Sequence, residues 1–131
     1  MTEYAAKGVI VSWGGTTIGQ ITSFSGMALS SETLEVSDLD DTAKQYIWSG
    51  LYGADEVSVD VHFDPGAGAP SHSVCAADVL TGTTRVLIVN YAPATVTYTA
   101  NAICTGLSPS GAVGDKLTAT ITWQPTGTVT L

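Results

Sequence analysis

Apolar and polar residues alternate along the chain in short stretches broken by clusters of Gly, Pro, Asp and Ser, the pattern of an all-β sandwich or barrel. Strands are expected near residues 8–13, 17–25, 32–37, 55–64, 84–91, 94–107 and 116–130. Between Asp55 and Asp64 the period of two is clear. Val57, Val59, Val61 and Phe63 share one face, and Glu56, Ser58, Asp60, His62 and Asp64 share the other. Near the C-terminus Leu117, Ala119, Ile121 and Trp123 alternate with Thr118, Thr120 and Thr122, which again gives one core face and one hydroxyl face. The run Val86-Leu87-Ile88-Val89 is continuously apolar and reads as a strand covered on both faces. Gly14-Gly15 has the chemistry of a two-residue hairpin turn.

One segment reads as a short helix. Ser71 caps it, Cys75, Ala76, Val79 and Leu80 form its apolar stripe, and Gly82 ends it. The preceding Pro65-Gly66-Ala67-Gly68-Ala69-Pro70 is too short to separate domains, so residues 1–131 are expected to form a single domain.

The longest piece without strand character runs from Asp38 to Gly53 and carries Asp38, Asp40, Asp41, Tyr46, Ile47, Trp48, Leu51 and Tyr52. A loop of this length usually has a function or a partner. Its large aromatics are best kept from water by a neighbouring chain, or else by folding back on the sheet.

Composition narrows the function. The chain has 131 residues and a mass of 13.4 kDa, with 12 acids against 4 bases and a net charge of -8. Gripping nucleic acid phosphates needs the opposite sign. Hydrophobic residues make up 44%, too many for an acidic disordered tail. Only 12% are charged, about half the usual share, which leaves a surface suited to cover by other chains. Nine of the 12 acids lie between Glu32 and Asp64, with Lys44 as the only base among them, so the negative field is local. The N-terminal residues show neither a signal peptide pattern nor a membrane span, so synthesis in a cytoplasm is expected, with Cys75 and Cys104 as free thiols.

Candidate chemistry is thin. Asp40-Asp41, or Glu56 with Asp60, supply paired carboxylates, but no nucleophile or oxyanion motif supports them, and the chain reads as a non-enzyme. Asp38-Leu39-Asp40-Asp41 lacks the central Gly and terminal Glu of a calcium loop. His62, Asp64, His72 and Cys75 are zinc-ligand types at a spacing that no zinc motif uses. No cofactor is implied.

The order of pieces is similar to a known family. The segment from Leu34 to Ile47, then Gly50-Leu51, Glu56-Val57-Ser58-Val59 and Phe63-Asp64-Pro65, resembles the tail tube (major tail) proteins of long non-contractile phage tails. Val113-Gly114-Asp115-Lys116-Leu117 and the stretch from Trp123 to Thr130 resemble that family's last strand pair. Where its members usually carry Pro-Gly-Leu after Tyr-Ile, this chain has Trp48-Ser49 before Gly50-Leu51.

The resemblance implies a β-sandwich with a flanking helix, whose subunits close a hexameric inner β-barrel and stack as rings around a tape-measure protein. It further implies tail-tip and terminator partners, a place in the virion tail after assembly in the host cytoplasm, and DNA passing through the lumen. About 24 strands at roughly 4.8 Å spacing and 40° tilt make a backbone diameter of about 48 Å, enough for a duplex about 20 Å wide. An acidic wall suits such a bore, because DNA sticks to a basic one. Glu56, Asp60 and Asp64 are expected to line it, the alternative being an ordinary exposed face. Rival readings are a tail-like bacteriocin, a gene transfer agent, a contractile device, or a monomeric immunoglobulin-like or carbohydrate-binding module.

Overall fold

A computed structural model describes residues 8–19, 21–40, 42–63, 70–91 and 96–131. In chain order the elements are β1 (Ile10–Trp13), β2 (Thr16–Thr17), β3 (Ile21–Ser25), β4 (Leu29–Glu35), β5 (Tyr46–Ala54), β6 (Val57–His62), α1 (Pro70–Thr81), β7 (Thr84–Tyr91), β8 (Val96–Ser110) and β9 (Thr118–Thr130). The all-β class with one short helix is borne out. β1 and β2 turn at Gly14 and Gly15, whose φ of 58° and 87° are the positive values that a tight hairpin of this kind requires. The stretch expected as one strand over residues 17–25 is two short ones.

Seven strands form one antiparallel sheet in the order β2-β1-β7-β8-β9-β6-β3. The alternation in β6 and β9 sets its faces. Val57, Val59 and Val61 pair across with Trp123, Ile121 and Ala119, all buried, while Ser58, Asp60 and His62 pair with Thr122, Thr120 and Thr118 on the other face. Leu117 lies before β9 and is exposed.

One sheet encloses the core because it curls. Three strand spacings separate β1 from β9, about 14 Å in a flat sheet. Yet the rings of Trp13 and Trp123 lie 6.0 Å apart, centroid to centroid. The concave side collects Val11, Leu87, Val89, Ala102, Ile121 and the two tryptophans, and α1 closes it.

Two expectations need correction here. In β7 only Leu87 and Val89 are buried; Ile88 is half-buried and Val86 exposed, so the chain itself covers one face of this strand, not both. The helix starts at Pro70, whose missing N–H is harmless in a first turn, instead of following a cap at Ser71. Its buried face is His72, Cys75 and Asp78, spaced by three, with Ala76 and Leu80 outside. Two polar side chains hold that face down. The Asp78 carboxylate accepts from Trp13 Nε1 at 2.7 Å and from Arg85 Nε at 2.7 Å, contacts that no hydrophobic pattern announces. Gly82 ends the helix as expected, with φ 68° and its N–H donating to the Asp78 carbonyl at 2.8 Å. The Pro65 to Ala69 stretch lies outside the described residues. No helix among them is long and apolar enough to cross a membrane.

Candidate functional site

β4 and β5 pair only with each other, as a two-stranded ribbon. This overturns the expectation that residues from Asp38 to Gly53 lack strand character. Tyr46-Ile47-Trp48 has the aromatic and β-branched composition that strands favour, a signal masked by the acids before it and by Gly50 within it. At Gly50 φ is 87°, and the register slips between Ser31 and Thr33, so the period of two is lost there.

The base of the ribbon is anchored. Asp55 donates its N–H to the Ala28 carbonyl at 2.8 Å, and Gln124 Nε2 on β9 reaches the Ala54 carbonyl at 3.3 Å. Above the base it stands off from the sheet, leaving an open cleft of about 470 Å³ between residues 50–54 and residues 124–128. The far end is closed by Val36 N–H on the Gln45 carbonyl at 2.8 Å, by Gln45 N–H on Ser37 Oγ at 2.6 Å, and by the Asp38 carboxylate accepting from Asp40 N–H at 3.0 Å. That last contact is an Asx turn, the local reason for an acidic residue at the tip.

All the aromatic and aliphatic residues singled out in this segment are exposed: Tyr46, Ile47, Trp48, Leu51 and Tyr52, joined by Leu29 and Leu34 from β4. They come together on one projecting element. Asp38 and Asp40 sit at its tip, exposed, and Asp41 lies outside the described residues. The folded-back alternative is not what the structure shows.

The acidic candidates divide. Glu56 is exposed in the link between β5 and β6, and Asp64 lies outside the described residues. Asp60 is exposed on the hydroxyl face, where Thr120 Oγ1 and Ser23 Oγ each donate to its carboxylate at 2.7 Å. The Thr120 bond and then the Ser23 bond hold the Asp60 carboxyl below its ordinary range, so it stays charged well into acid. A shallow groove of about 250 Å³ runs there between Thr22, Asp60, Ser108 and Thr118.

The zinc-ligand types scatter. His72 is buried, stacked on Phe63 at 5.9 Å, with Nε2 donating to the Gly19 carbonyl at 3.2 Å. Cys75 faces Cys104 in the core, while His62 lies on the opposite face of the sheet. Among the described residues no group of three or more His, Cys, Asp or Glu is placed to hold a metal ion.

No protein-family model and no curated sequence matches the chain. Solved structures do. It superposes on a chain of the tail of an empty gene transfer agent particle, refined as a helix with C6 symmetry, at TM-score 0.80 and 14% identity over 98% of each chain. A chain of the native gene transfer agent virion matches at TM-score 0.78 and 13% identity over 97% of each. A chain of the structure of an extracellular contractile injection system, the PVC sheath/tube terminator in its extended state, matches at TM-score 0.73 and 19% identity over 99% of this chain and 96% of that one. At such identities the likeness is one of fold: a curled sheet with a flanking helix, shared with components of tail-bearing and contractile particles.

Proposed function

We propose that the protein is the structural subunit of a tail tube, a single domain over residues 1–131 whose hexameric rings stack into a hollow conduit for DNA. The observation that carries this reading is the ribbon. A packed half-barrel keeps Trp13 and Trp123 inside, yet holds Tyr46, Ile47, Trp48 and Leu51 out in water on a projecting ribbon. A monomer gains nothing from that arrangement, and a subunit that docks on copies of itself needs it.

The tube reading also accounts for the acids. Glu56, Asp60 and Asp64 line the lumen in this proposal, and a carboxylate held charged by two hydroxyl donors suits a wall that DNA must slide past. By resemblance the partners are a tape-measure protein, tail-tip and terminator proteins. The particle is a long non-contractile phage tail, assembled in the host cytoplasm, and the subunit acts by shape with no catalytic role. A contractile device or a gene transfer agent is the second reading, favoured by the likeness to chains of the PVC sheath/tube terminator structure and of the gene transfer agent tail.

Negative-stain microscopy of the purified protein tests the proposal. Hollow tubes or hexameric rings are the expected outcome. A strictly monomeric species at high concentration overturns it in favour of a binding module.

A further inference from the structure

We infer that Cys75 on α1 and Cys104 on β8 form an oxidation site, a buried dithiol that hydrogen peroxide converts to an internal disulfide tying the helix to the sheet. The inference goes beyond the tube reading and does not depend on it. The chain has two cysteines in 131 residues, and the fold sets them opposite one another in the same core, 0% and 2% exposed. Packing alone can use a buried thiol as a small apolar group, but it gives no reason for the only two to meet. Helix and strand come close at this point. α1 packs chiefly on β8, where Ala100 and Ala102 share the buried face of Cys104 and leave room for the approach that a disulfide needs, with Cα atoms about 6 Å apart. Cys75 is held between two anchors, one turn to either side: His72 Nε2 bonds the Gly19 carbonyl at 3.2 Å, and Asp78 accepts from Trp13 Nε1 at 2.7 Å. Cys104 sits where the β8–β9 register slips, its S–H donating to the Gly106 carbonyl at 4.0 Å.

The two thiols share a hydrogen bond, which pushes Cys75 up and holds Cys104 down, so the first thiolate forms on Cys104. Burial and the charge of Asp78 oppose a thiolate on either sulfur, which slows the reaction. A core this closed favours a small oxidant. The Cys104 thiolate attacks one oxygen of hydrogen peroxide and breaks the O–O bond, giving a sulfenic acid and a hydroxide that takes up the proton Cys104 released. The Cys75 sulfur then attacks the sulfenic sulfur, and its own proton leaves with the displaced hydroxide as water. Two thiols and one peroxide become one disulfide and two waters. The bridge closes a loop of about 30 residues, from α1 through β7 into β8, and so restricts the unfolded chain.

Thiol counting on the wild-type protein tests this. Native protein is reduced, desalted, treated with hydrogen peroxide and quenched with catalase, then unfolded in guanidinium chloride with iodoacetamide present, and its mass is read. The expected product is a single chain that carries no label on either cysteine and takes up both labels once dithiothreitol has reduced it. Its melting temperature should lie roughly 10 °C above that of the reduced protein. Two labelled thiols after peroxide, sulfinic acids that dithiothreitol does not restore, disulfide-linked dimers, or a disulfide that lowers the melting temperature would each overturn the inference. None of these outcomes bears on the tube reading.

Discussion

The rings of Phe24 and Tyr91 lie 6.2 Å apart at 58°, although β3 and β7 are separated by four strand spacings, about 19 Å in a flat sheet. The contact joins the edge strand to the middle of the sheet across the concave side, and Tyr98 extends it, edge-on to Tyr91 at 5.2 Å. It is what keeps the curl closed at the β3 end, where the β3–β6 register is irregular between Ile21 and Ser23.

Phe24→Ala should therefore loosen one end of the sheet more than the rest. Both rings are only partly buried, so the loss is expected near the low end for an aromatic truncation, about 2–3 kcal/mol. Urea unfolding measures the total. Hydrogen exchange should show β3 losing protection while β7 and β8 keep theirs, and uniform loss across the sheet counts against the clasp.

The Asp78 carboxylate, bonded to Trp13 and Arg85, makes a prediction about pH. Burial alone raises its pKa, but the hydrogen bonds from Arg85 and Trp13, with the charge of Arg85, outweigh this and hold it below the ordinary value. A carboxyl depressed in the folded state stabilises above its unfolded pKa, about 3.9, and loses that contribution as pH falls through the lower folded value. Asp78→Asn should cost about 1–3 kcal/mol at pH 7, by leaving Arg85 without its charged partner and weakening the Trp13 bond. Below about pH 4 the gap between variant and wild type should narrow. Thermal unfolding from pH 2 to 7 checks the sign, and a gap that widens in acid refutes it.

What the sequence reveals and what it conceals divide along physical lines. Val57, Val59 and Val61 alternate with Ser58 and Asp60 because one face of β6 is core and the other is wet, and such strands are readable from one residue to the next. The ribbon hides because β5 shows large apolar side chains on both of its exposed faces, so Tyr46-Ile47-Trp48 has no alternation to show. The helix face hides for another reason. His72 and Asp78 are buried by partners at Gly19 and Trp13, more than fifty residues away, and polar residues at core positions look like surface ones until those partners are known. The same distance conceals the orientation of Asp60, whose hydroxyl donors come from β3 and β9.

Gly50 tests the ribbon as a shaped object. Its φ of 87° is costly for any residue with a Cβ, yet nothing lies within 4 Å of where that Cβ would point. Gly50→Ala thus adds backbone strain of about 1–2 kcal/mol without a clash. The sheet body does not depend on this twist, so global unfolding should shift little, while tubes form more slowly or at a higher critical concentration. Light scattering during assembly reads the difference. Assembly at the wild-type rate would mean that the twist at Gly50 plays no role in docking.

Asp60 carries the last prediction, on DNA passage. Asp60→Asn keeps the hydrogen-bonding shape toward Thr120 and Ser23 but removes the charge, and Asp60→Lys reverses it. The exposed site tolerates both, so stability should change by less than about 1 kcal/mol and tubes should form. If the residue lines the lumen, the Lys variant places a ring of cations along the path of the duplex. DNA exit then slows and regains speed as salt rises, since each phosphate contact is weakened by counterion competition. The Asn variant should fall between wild type and Lys. Ejection kinetics from particles carrying each subunit, at low and high salt, provide the measurement. Identical rates for all three would put Asp60 away from the lumen.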